Sequence, residues 1–549
     1  MHRTTSERGR SLDPAALAEI LGLIGGRPMR RDLLIEFLHL VQDRFGHLSA
    51  AHLKALAAMM GLSEAEVFEV ASFYHHFDIV KEGEAPPPAL TIRVCESVSC
   101  MLAGAAALKA AIAGGTDPAR VRVIAAPCIG RCAEAPVAVV GQNAILRATA
   151  PAVIGAAARG EIDAAVPGAR NLAAYRAEGG YALLDALRDG RLPVDRVMAE
   201  VAASGLRGMG GAGFPAARKW GIVRSFAGAK LMTVNADEGE PGTFKDRVLL
   251  EADPHRMLEG ALIAAQIVGA ERIFIYLRDE YPGVRALLIR EIAALAEAGL
   301  LSVPIELRRG AGAYICGEES AMLESLEGKR GLPRHRPPYI AENGLFGRPT
   351  LNHNVETLFW LRDILERGAE WFARQGRNGA KGLVSYSVSG RVAKPGVKIA
   401  PAGLTLNELV RDYCGGMAAG HILAGYLPGG ASGGMLPAQL ADLPLDFGTL
   451  EAQGCFVGSH AVVVFSDSDD PRAIARNLMA FFADESCGQC TPCRLGTRKL
   501  HELMQAEVWD EALMGEIEQA MREASICGLG QAAPNPMRSI LRFFREAGQ

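Results

Sequence analysis

No part of this 549-residue chain is a uniform apolar run long enough to cross a membrane. The longest uncharged stretch, residues 413–441, is broken by many glycines, two prolines and His421. The opening residues MHRTTSERGRSLD lack the apolar core of a secretion signal, so a cytoplasmic chain without membrane insertion is expected. An excess of either charge is also missing. With 58 basic and 62 acidic side chains the formal net charge is −4, which gives no reason to expect nucleic acid or an anionic lipid surface as partner. Internal repeats and low-complexity tracts are absent. The chain is 49% hydrophobic and 22% charged, an ordinary soluble composition, and its length suggests about three or four domains.

Cysteine is not scarce. Eleven cysteines in a cytoplasmic chain point to metal or cluster ligands rather than disulfides. Eight of them form two spaced groups of four, and Cys316, Cys414 and Cys455 are left over as expected buried thiols. In ESCGQCTPC, Cys487, Cys490 and Cys493 run at C-x2-C-x2-C spacing, and Cys527 follows after one helical excursion. Three closely spaced thiolates with a distant fourth suit a 4Fe–4S centre; structural zinc sites usually pair two C-x2-C knuckles instead. The other group is Cys95-x4-Cys100 and Cys128-x3-Cys132, two pairs placed just after expected strands. Four thiolates on two loops suit a 2Fe–2S centre, with zinc as the rival. Neither pair has the spacing of a redox-active C-x2-C motif.

The pattern divides the chain into an α/β multidomain protein. Residues 1–85 are a polar lead and a helical bundle, with Ser49 and Ser63 as N-caps and Gly61 as a stop. An acidic, proline-rich segment, KEGEAPPP, links it to a small α/β unit over 86–165 of thioredoxin-like size and order. A helical connector occupies 166–204. Residues 205–382 alternate strands such as KLMTVNA with long amphipathic helices, as an α/β sandwich does. Residues 383–465 are β-rich and Gly/Pro-rich, and 466–549 are helical and carry the second cysteine group.

Three further motifs carry chemistry. Gly208, Gly210 and Gly213 in GLRGMGGAGFP satisfy G-x-G-x-x-G, but a helix precedes them, so the strand–glycine–helix context of a Rossmann site is missing. The glycines still let backbone N–H groups approach a flat or phosphorylated ligand, with Lys219 on the following helix; the alternative is a tight structural turn. NADEGEPGTFKDR places Asp237, Glu238 and Glu240 after a strand, where ligands of α/β layers sit and where carboxylates can accept from ribityl or ribose hydroxyls; a solvated acidic turn is the alternative. RRGAGAYICGEES leads a glycine loop into Glu318 and Glu319 in a helix's first turn, where acids also simply stabilise the helix dipole. Arg334, Arg336 and Tyr339 follow near a diproline, apt for a pyrophosphate and a stacked ring.

Taken together, GGAGFP, NADEGEPGTFKDR, GAGAYICGEE, NVET and ESCGQCTPCR, in order over about residues 200–549, resemble the NADH-binding flavoprotein subunit of respiratory complex I. The first 165 residues resemble that enzyme's thioredoxin-like 2Fe–2S subunit, here fused in front. APCIGRCAEAPVAVVG and RPPYIAENGLFGRPTLNHN look most like the β (diaphorase) subunit of soluble NAD-dependent, molybdenum- or tungsten-containing formate dehydrogenases; the diaphorase of NAD-reducing hydrogenases is similar. The resemblance implies FMN held by Gly208, Gly210, Gly211, Lys219, Asn235, Asp237 and Asn352, His353 and Asn354. It implies NAD(H) among Phe214, Glu240, Glu318, Glu319, Arg336 and Tyr339, with Gly213, Glu238, Tyr314 and Gly317 lining the same region. Glu240 and Glu319 would position the nicotinamide, and no side chain is needed as a general base. It further implies a β-grasp ligand-binding-like domain over 383–465, one 4Fe–4S and one 2Fe–2S cluster on the eight grouped cysteines, and a larger partner subunit with further iron–sulfur clusters and a Mo/W–pterin site. The alternatives are a NiFe-hydrogenase module, complex I, or a flavin-free iron–sulfur scaffold or redox sensor. Departures from the complex I pattern are Met209 for arginine, Ile222 for an aromatic, and Arg336 and Tyr339 for lysine and phenylalanine.

Overall fold

Local capping sets the N-terminal helices. Ser49 Oγ accepts from His52 N at 3.1 Å and opens Ala50–Met60, which Gly61 ends in the left-handed region. Ser63 and Glu66 close a reciprocal capping box on Glu64–Phe73. With Pro14–Ile24 and Leu34–Phe45 these helices form the bundle, tied by a short parallel pair, Leu48–Ser49 with Ile79–Val80. This computed structural model describes residues 11–545; most of the polar lead expected at the N-terminus and the last four residues lie outside the described residues.

The thioredoxin-like unit has a four-stranded sheet. Leu90–Cys95 is parallel to Val121–Ala126 on one side and antiparallel to Ala138–Val140 on the other, which continues as a hairpin into Asn143–Ile145. Helices Ala105–Gly114 and Ala150–Arg159 pack against it.

The central domain is an all-parallel sheet in the order Thr350–Asn354, Lys230–Ala236, Ala270–Leu277, Ile305–Arg309. Parallel strands need crossovers, and helices Pro254–Val268 and Pro282–Glu297 supply two of them. Pro254–Val268 is buried along almost its whole length, which is why it reads apolar all round. A five-stranded sheet follows: Leu383–Gly390 pairs antiparallel with Gly396–Pro401 and parallel with Ala461–Ser466, which pairs antiparallel with Leu423–Leu427. The C-terminal domain is helical, Pro471–Asp484, Thr491–Leu503, Glu511–Ala524, Gly528–Ala532 and Asn535–Phe543.

The thioredoxin-like unit docks on the central domain through buried polar groups. Arg278, 4% exposed at the end of a sheet strand, donates to the carbonyl of Cys128 at 2.6 Å and to the carbonyl of Glu238. Arg247 Nε donates to the Gly130 carbonyl at 2.9 Å. Glu238 accepts from the backbone N–H groups of Asp246 (2.7 Å) and Arg247 (3.1 Å) and from the Tyr281 hydroxyl (2.9 Å), so both oxygens are engaged inside the protein. A side chain at Gly130 would lie 2.0 Å from that same hydroxyl.

Two outcomes follow from this packing. In Gly260→Ala the new methyl would lie 2.1 Å from the Leu358 carbonyl, so overpacking of about 1–3 kcal/mol outweighs the roughly 1 kcal/mol helix-propensity gain, and the apparent Tm falls. Burial, and then Asp246 beside it, raises the Glu238 carboxyl from 4.5 to about 7. Between those values the folded chain keeps a proton that the unfolded chain has released, so this group's contribution to stability falls as pH rises through that window. Glu238→Gln abolishes that part of the slope, and calorimetric scans across the window show a flatter dependence of Tm on pH than in the parent.

Candidate functional site

The carboxyl edge of the parallel sheet collects most of the expected cofactor residues. Asn235 and Asn354 face each other in register at the ends of adjacent strands, with Asn352 two residues back. Asn235 donates to the Gly317 carbonyl at 2.8 Å and accepts from Asp237 N at 3.0 Å, which folds the acidic loop over the strand end. Asp237 is half-buried as a residue, but its Oδ2 is buried and has no protein partner among the described residues. Burial pushes its carboxyl well above the ordinary range. A hydroxyl or amide donor of a ligand would satisfy this oxygen.

The glycine loop lies across the same edge. Gly208 N donates to the Phe214 carbonyl at 2.8 Å, and Met209 N donates to Thr357 Oγ1 at 2.9 Å, which fixes the turn. Gly211 has φ +122°, a conformation other residues rarely adopt, and stands against Gly458 of the five-stranded domain. At Gly210 a side chain would press on Asn354, and at Gly213 it would strike the Phe447 ring at 2.6 Å. Gly213 therefore serves the docking of the two domains as well as the turn. The Lys219 ammonium donates to the Asn352 carbonyl at 3.2 Å and lies 3.4 Å from Glu319.

Several expected residues are held by the protein itself. His353 points to the opposite face of its strand from Asn352 and Asn354, as the alternation of a strand requires, and accepts the Trp220 indole N–H at 2.6 Å. Burial holds its imidazole well below the ordinary range, so it is neutral and faces packing. Asn354 caps helix Val355–Phe359, accepts from Lys245 Nζ at 3.2 Å and donates to Asp246. Lys245, Asp246 and Glu356 form a buried charge network that no local sequence signal announced. Glu240 accepts from Ser432 N and Oγ, both at 2.7 Å, and from the Tyr314 hydroxyl. Glu318 caps helix Glu319–Leu326 and pairs with Arg336, which is also 3.2 Å from Glu319. Lys219 and Arg336 thus flank Glu319 from two sides. Phe214 and Tyr339 are exposed, the latter by 58%, and the Arg218 guanidinium stands 5.5 Å over the Phe214 ring. Arg334 does not join them; Glu324 and Glu327 and the carbonyls of Asn343 and Gly344 use its guanidinium.

The four cysteines of the C-terminal group surround one cavity, with Ile315, Pro333, Ser486 and Leu529 as apolar and small walls. Cys490 and Cys527 are the N-cap residues of two helices and Cys493 lies in the first turn of one, so helix N-termini face the sulfurs and favour thiolates. Against that, burial raises Cys493 to about 11 and Cys527 to about 12. Thiols so placed shed protons only when a cation takes the charge, which suits iron. Ile315 belongs to the turn Tyr314–Gly317 that also bonds Asn235, so this cavity and the sheet edge share one wall. Glu485, unremarked in the sequence, accepts from Tyr314 N at 2.9 Å and anchors that wall.

All four cysteines of the first group are buried. Cys95 ends a strand, Cys100 lies on the short helix Val98–Leu102, and Cys128 and Cys132 follow the neighbouring strand with their sulfurs 3.4 Å apart. Cys128, receiving hydrogens from Cys132 and Cys95 with Arg278 nearby, is held well below the usual thiol value, while Cys95 and Cys132 are pushed well above it. The donor set fits a buried cationic cluster.

Comparison with known proteins agrees with this geometry. The family model described as the Nuo51 FMN-binding domain matches residues 201–363, that of the thioredoxin-like 2Fe-2S ferredoxin matches 21–157, and that of the NADH-ubiquinone oxidoreductase-F iron-sulfur binding region matches 473–549. The second takes in the helical bundle together with the four-stranded unit. The NADH-quinone oxidoreductase F 2 subunit of Rhizobium meliloti (strain 1021) is 41% identical over 397 residues, 69% of this chain and 94% of the relative. The NADH-quinone oxidoreductase F subunit of Rhodobacter capsulatus is 42% identical over 372 residues, 64% of this chain and 86% of the relative. A crystal structure of an NAD+-reducing NiFe-hydrogenase in the H2-reduced state superposes with a TM-score of 0.82 at 33% identity, covering 95% of this chain and 93% of that one. No helix among the described residues is long and apolar enough to cross a membrane. The chain belongs to the NADH-quinone oxidoreductase F family and is an NADH-binding flavoprotein electron-transfer subunit of a multi-subunit complex, with FMN, one 2Fe–2S and one 4Fe–4S cluster.

Proposed function

We propose that this chain is the diaphorase subunit of a soluble formate dehydrogenase, exchanging electrons between a partner that oxidises formate at a Mo/W–pterin site and NAD(H). FMN, when bound, supplies the exchange between hydride pairs and single electrons that joins a nicotinamide to iron–sulfur chemistry. The chain's own part is to bind, orient and exclude water. Gly208, Gly210 and Gly211 give backbone approach, and Lys219 gives a cation. Asn235, Asp237, Asn352 and Asn354 give acceptors and donors for the ribityl and ring polar atoms. Phe214 and Tyr339 offer ring faces to the dinucleotide, Arg336 a cation, and Glu240, Glu318 and Glu319 acceptors for its hydroxyls and carboxamide. Cys487, Cys490, Cys493 and Cys527 hold the four-iron cluster, and Cys95, Cys100, Cys128 and Cys132 the two-iron cluster.

The observation that carries the flavin assignment is the orphaned buried Asp237 oxygen at the sheet's carboxyl edge, one turn away from the cysteine-lined cavity. The formate partner rests on the likeness of APCIGRCAEAPVAVVG and RPPYIAENGLFGRPTLNHN to formate dehydrogenase diaphorases. A NiFe-hydrogenase partner is the second reading, favoured by the superposition over 95% of the chain. Purification of the native complex decides between them: molybdenum or tungsten with formate-dependent NAD+ reduction supports the first, nickel with hydrogen-dependent reduction the second. The chain alone reduces artificial acceptors with NADH and does not oxidise formate; formate oxidation by this chain alone would refute the division of labour.

Two variants test the residue assignments. Asp237→Ala leaves a ligand donor unsatisfied at a cost of about 1–3 kcal/mol, so flavin released on denaturation drops as FMN affinity falls roughly five- to a hundredfold, with iron content unchanged. Cys527→Ala loses the iron and the paramagnetic signal of the four-iron centre while those of the two-iron centre persist.

A further inference from the structure

The helical bundle meets the central sheet at a cluster outside both cofactor regions. His39 and Asp43 stand one turn apart on the helix Leu34–Phe45, and His76 follows the helix Glu64–Phe73. One ligand atom from each of the three lies within 4.8 Å of the other two. The outer hydrogen bonds settle the imidazole tautomers. His39 Nε2 faces the Gly310 carbonyl at 2.9 Å, and His76 Nδ1 faces the Asp279 carboxylate at 2.7 Å. A carbonyl and a carboxylate only accept, so those two nitrogens carry the hydrogens. The remaining nitrogens, His39 Nδ1 and His76 Nε2, are buried and without a protein partner among the described residues. His39 is only 2% exposed. Asp43 adds a third acceptor. It pairs with Arg309 at 2.6 Å through one oxygen and at 3.3 Å through the other.

We propose that His39 Nδ1, His76 Nε2 and an Asp43 oxygen bind a divalent transition-metal ion, zinc by donor type, between the bundle and the sheet. Two unpartnered imidazole nitrogens beside a carboxylate give an electrophile a place between them. Two imidazoles with a carboxylate suit zinc and its first-row neighbours, not magnesium or calcium. The outer contacts are those that metal-bound histidines use: one ring N–H to a carboxylate, the other to a backbone carbonyl. Ligand atoms on a tetrahedral ion with bonds of about 2.0–2.1 Å stand about 3.3 Å apart, so the site closes by small side-chain rotations. The half-exposed side of Asp43 leaves the fourth position to water. The ion would pin the segment leading to the shared wall, because His75 N and His76 N already bond the carbonyls of Gly312 and Ala311, just before Tyr314.

The test uses the full chain with FMN and both clusters loaded, so that no cluster cysteine is free. After incubation with zinc and gel filtration, elemental analysis should find one equivalent of zinc per chain beyond the iron. Zinc K-edge absorption should show only nitrogen and oxygen neighbours at about 2.0–2.1 Å. His76→Gln should lower zinc affinity at least tenfold with iron and flavin unchanged. Asp43→Asn, altering an exposed side chain, should do so too and covers the case in which the histidine variant misfolds. Absence of retained zinc, a sulfur shell at about 2.3 Å, or zinc retention by both variants equal to the parent's would overturn the assignment.

Discussion

One buried guanidinium organises the arrangement of cofactor regions. Arg278 is attached to the central sheet, yet it spends its donors on the carbonyls of Cys128 in the thioredoxin-like unit and Glu238 in the acidic loop, and on Glu280. Taking a charge out of water is costly unless every donor finds an acceptor, so the fold has to bring these segments together. The Tyr281 ring packs under the guanidinium and its hydroxyl closes on Glu238. The two-iron cysteine loop is thereby fixed against the loop that carries Asp237, although their sequence positions are more than a hundred residues apart.

The same economy applies on the other side of the sheet edge. The turn Tyr314–Gly317 is a wall of the four-cysteine cavity through Ile315 and a support of the strand end through the Gly317 carbonyl. Glu485, immediately before the cluster motif, accepts from Tyr314 N, and Glu240 takes the Tyr314 hydroxyl. A displacement of the helical domain would therefore be felt at Glu240 and Asn235. Rigid sharing of walls is what a short electron path demands.

The sequence was most legible where its signals are local. Cysteine spacing, the caps at Ser49 and Ser63, and the long helices around Pro254–Val268 depend on neighbours within a few residues, and the leftover thiols Cys316, Cys414 and Cys455 are buried as expected. The strand Thr350–Asn354 was not legible as a strand. Its run TLNHN has no apolar alternation, because its polar groups are satisfied by Trp220 and Thr233, both more than a hundred residues upstream. Arg334 looked like a phosphate ligand for the same reason in reverse: its carboxylate partners, Glu324 and Glu327, lie on the helix it folds back upon. His39 and His76 gave no signal, since they lie far apart in the sequence and only the fold joins them.

A distinction runs through the acidic residues of NADEGEPGTFKDR. Glu238 and Asp246 are satisfied internally, by backbone N–H groups in one case and by Lys245 and Asn354 in the other. Glu240 is satisfied by a neighbouring domain. Only Asp237 keeps a buried oxygen without a protein donor. Burying an unpaired polar atom costs about 1–3 kcal/mol, a penalty a fold sustains where a ligand removes it. Within the motif Glu238 and Asp246 are thus structural latches on either side of a carboxylate whose buried oxygen is left for a ligand.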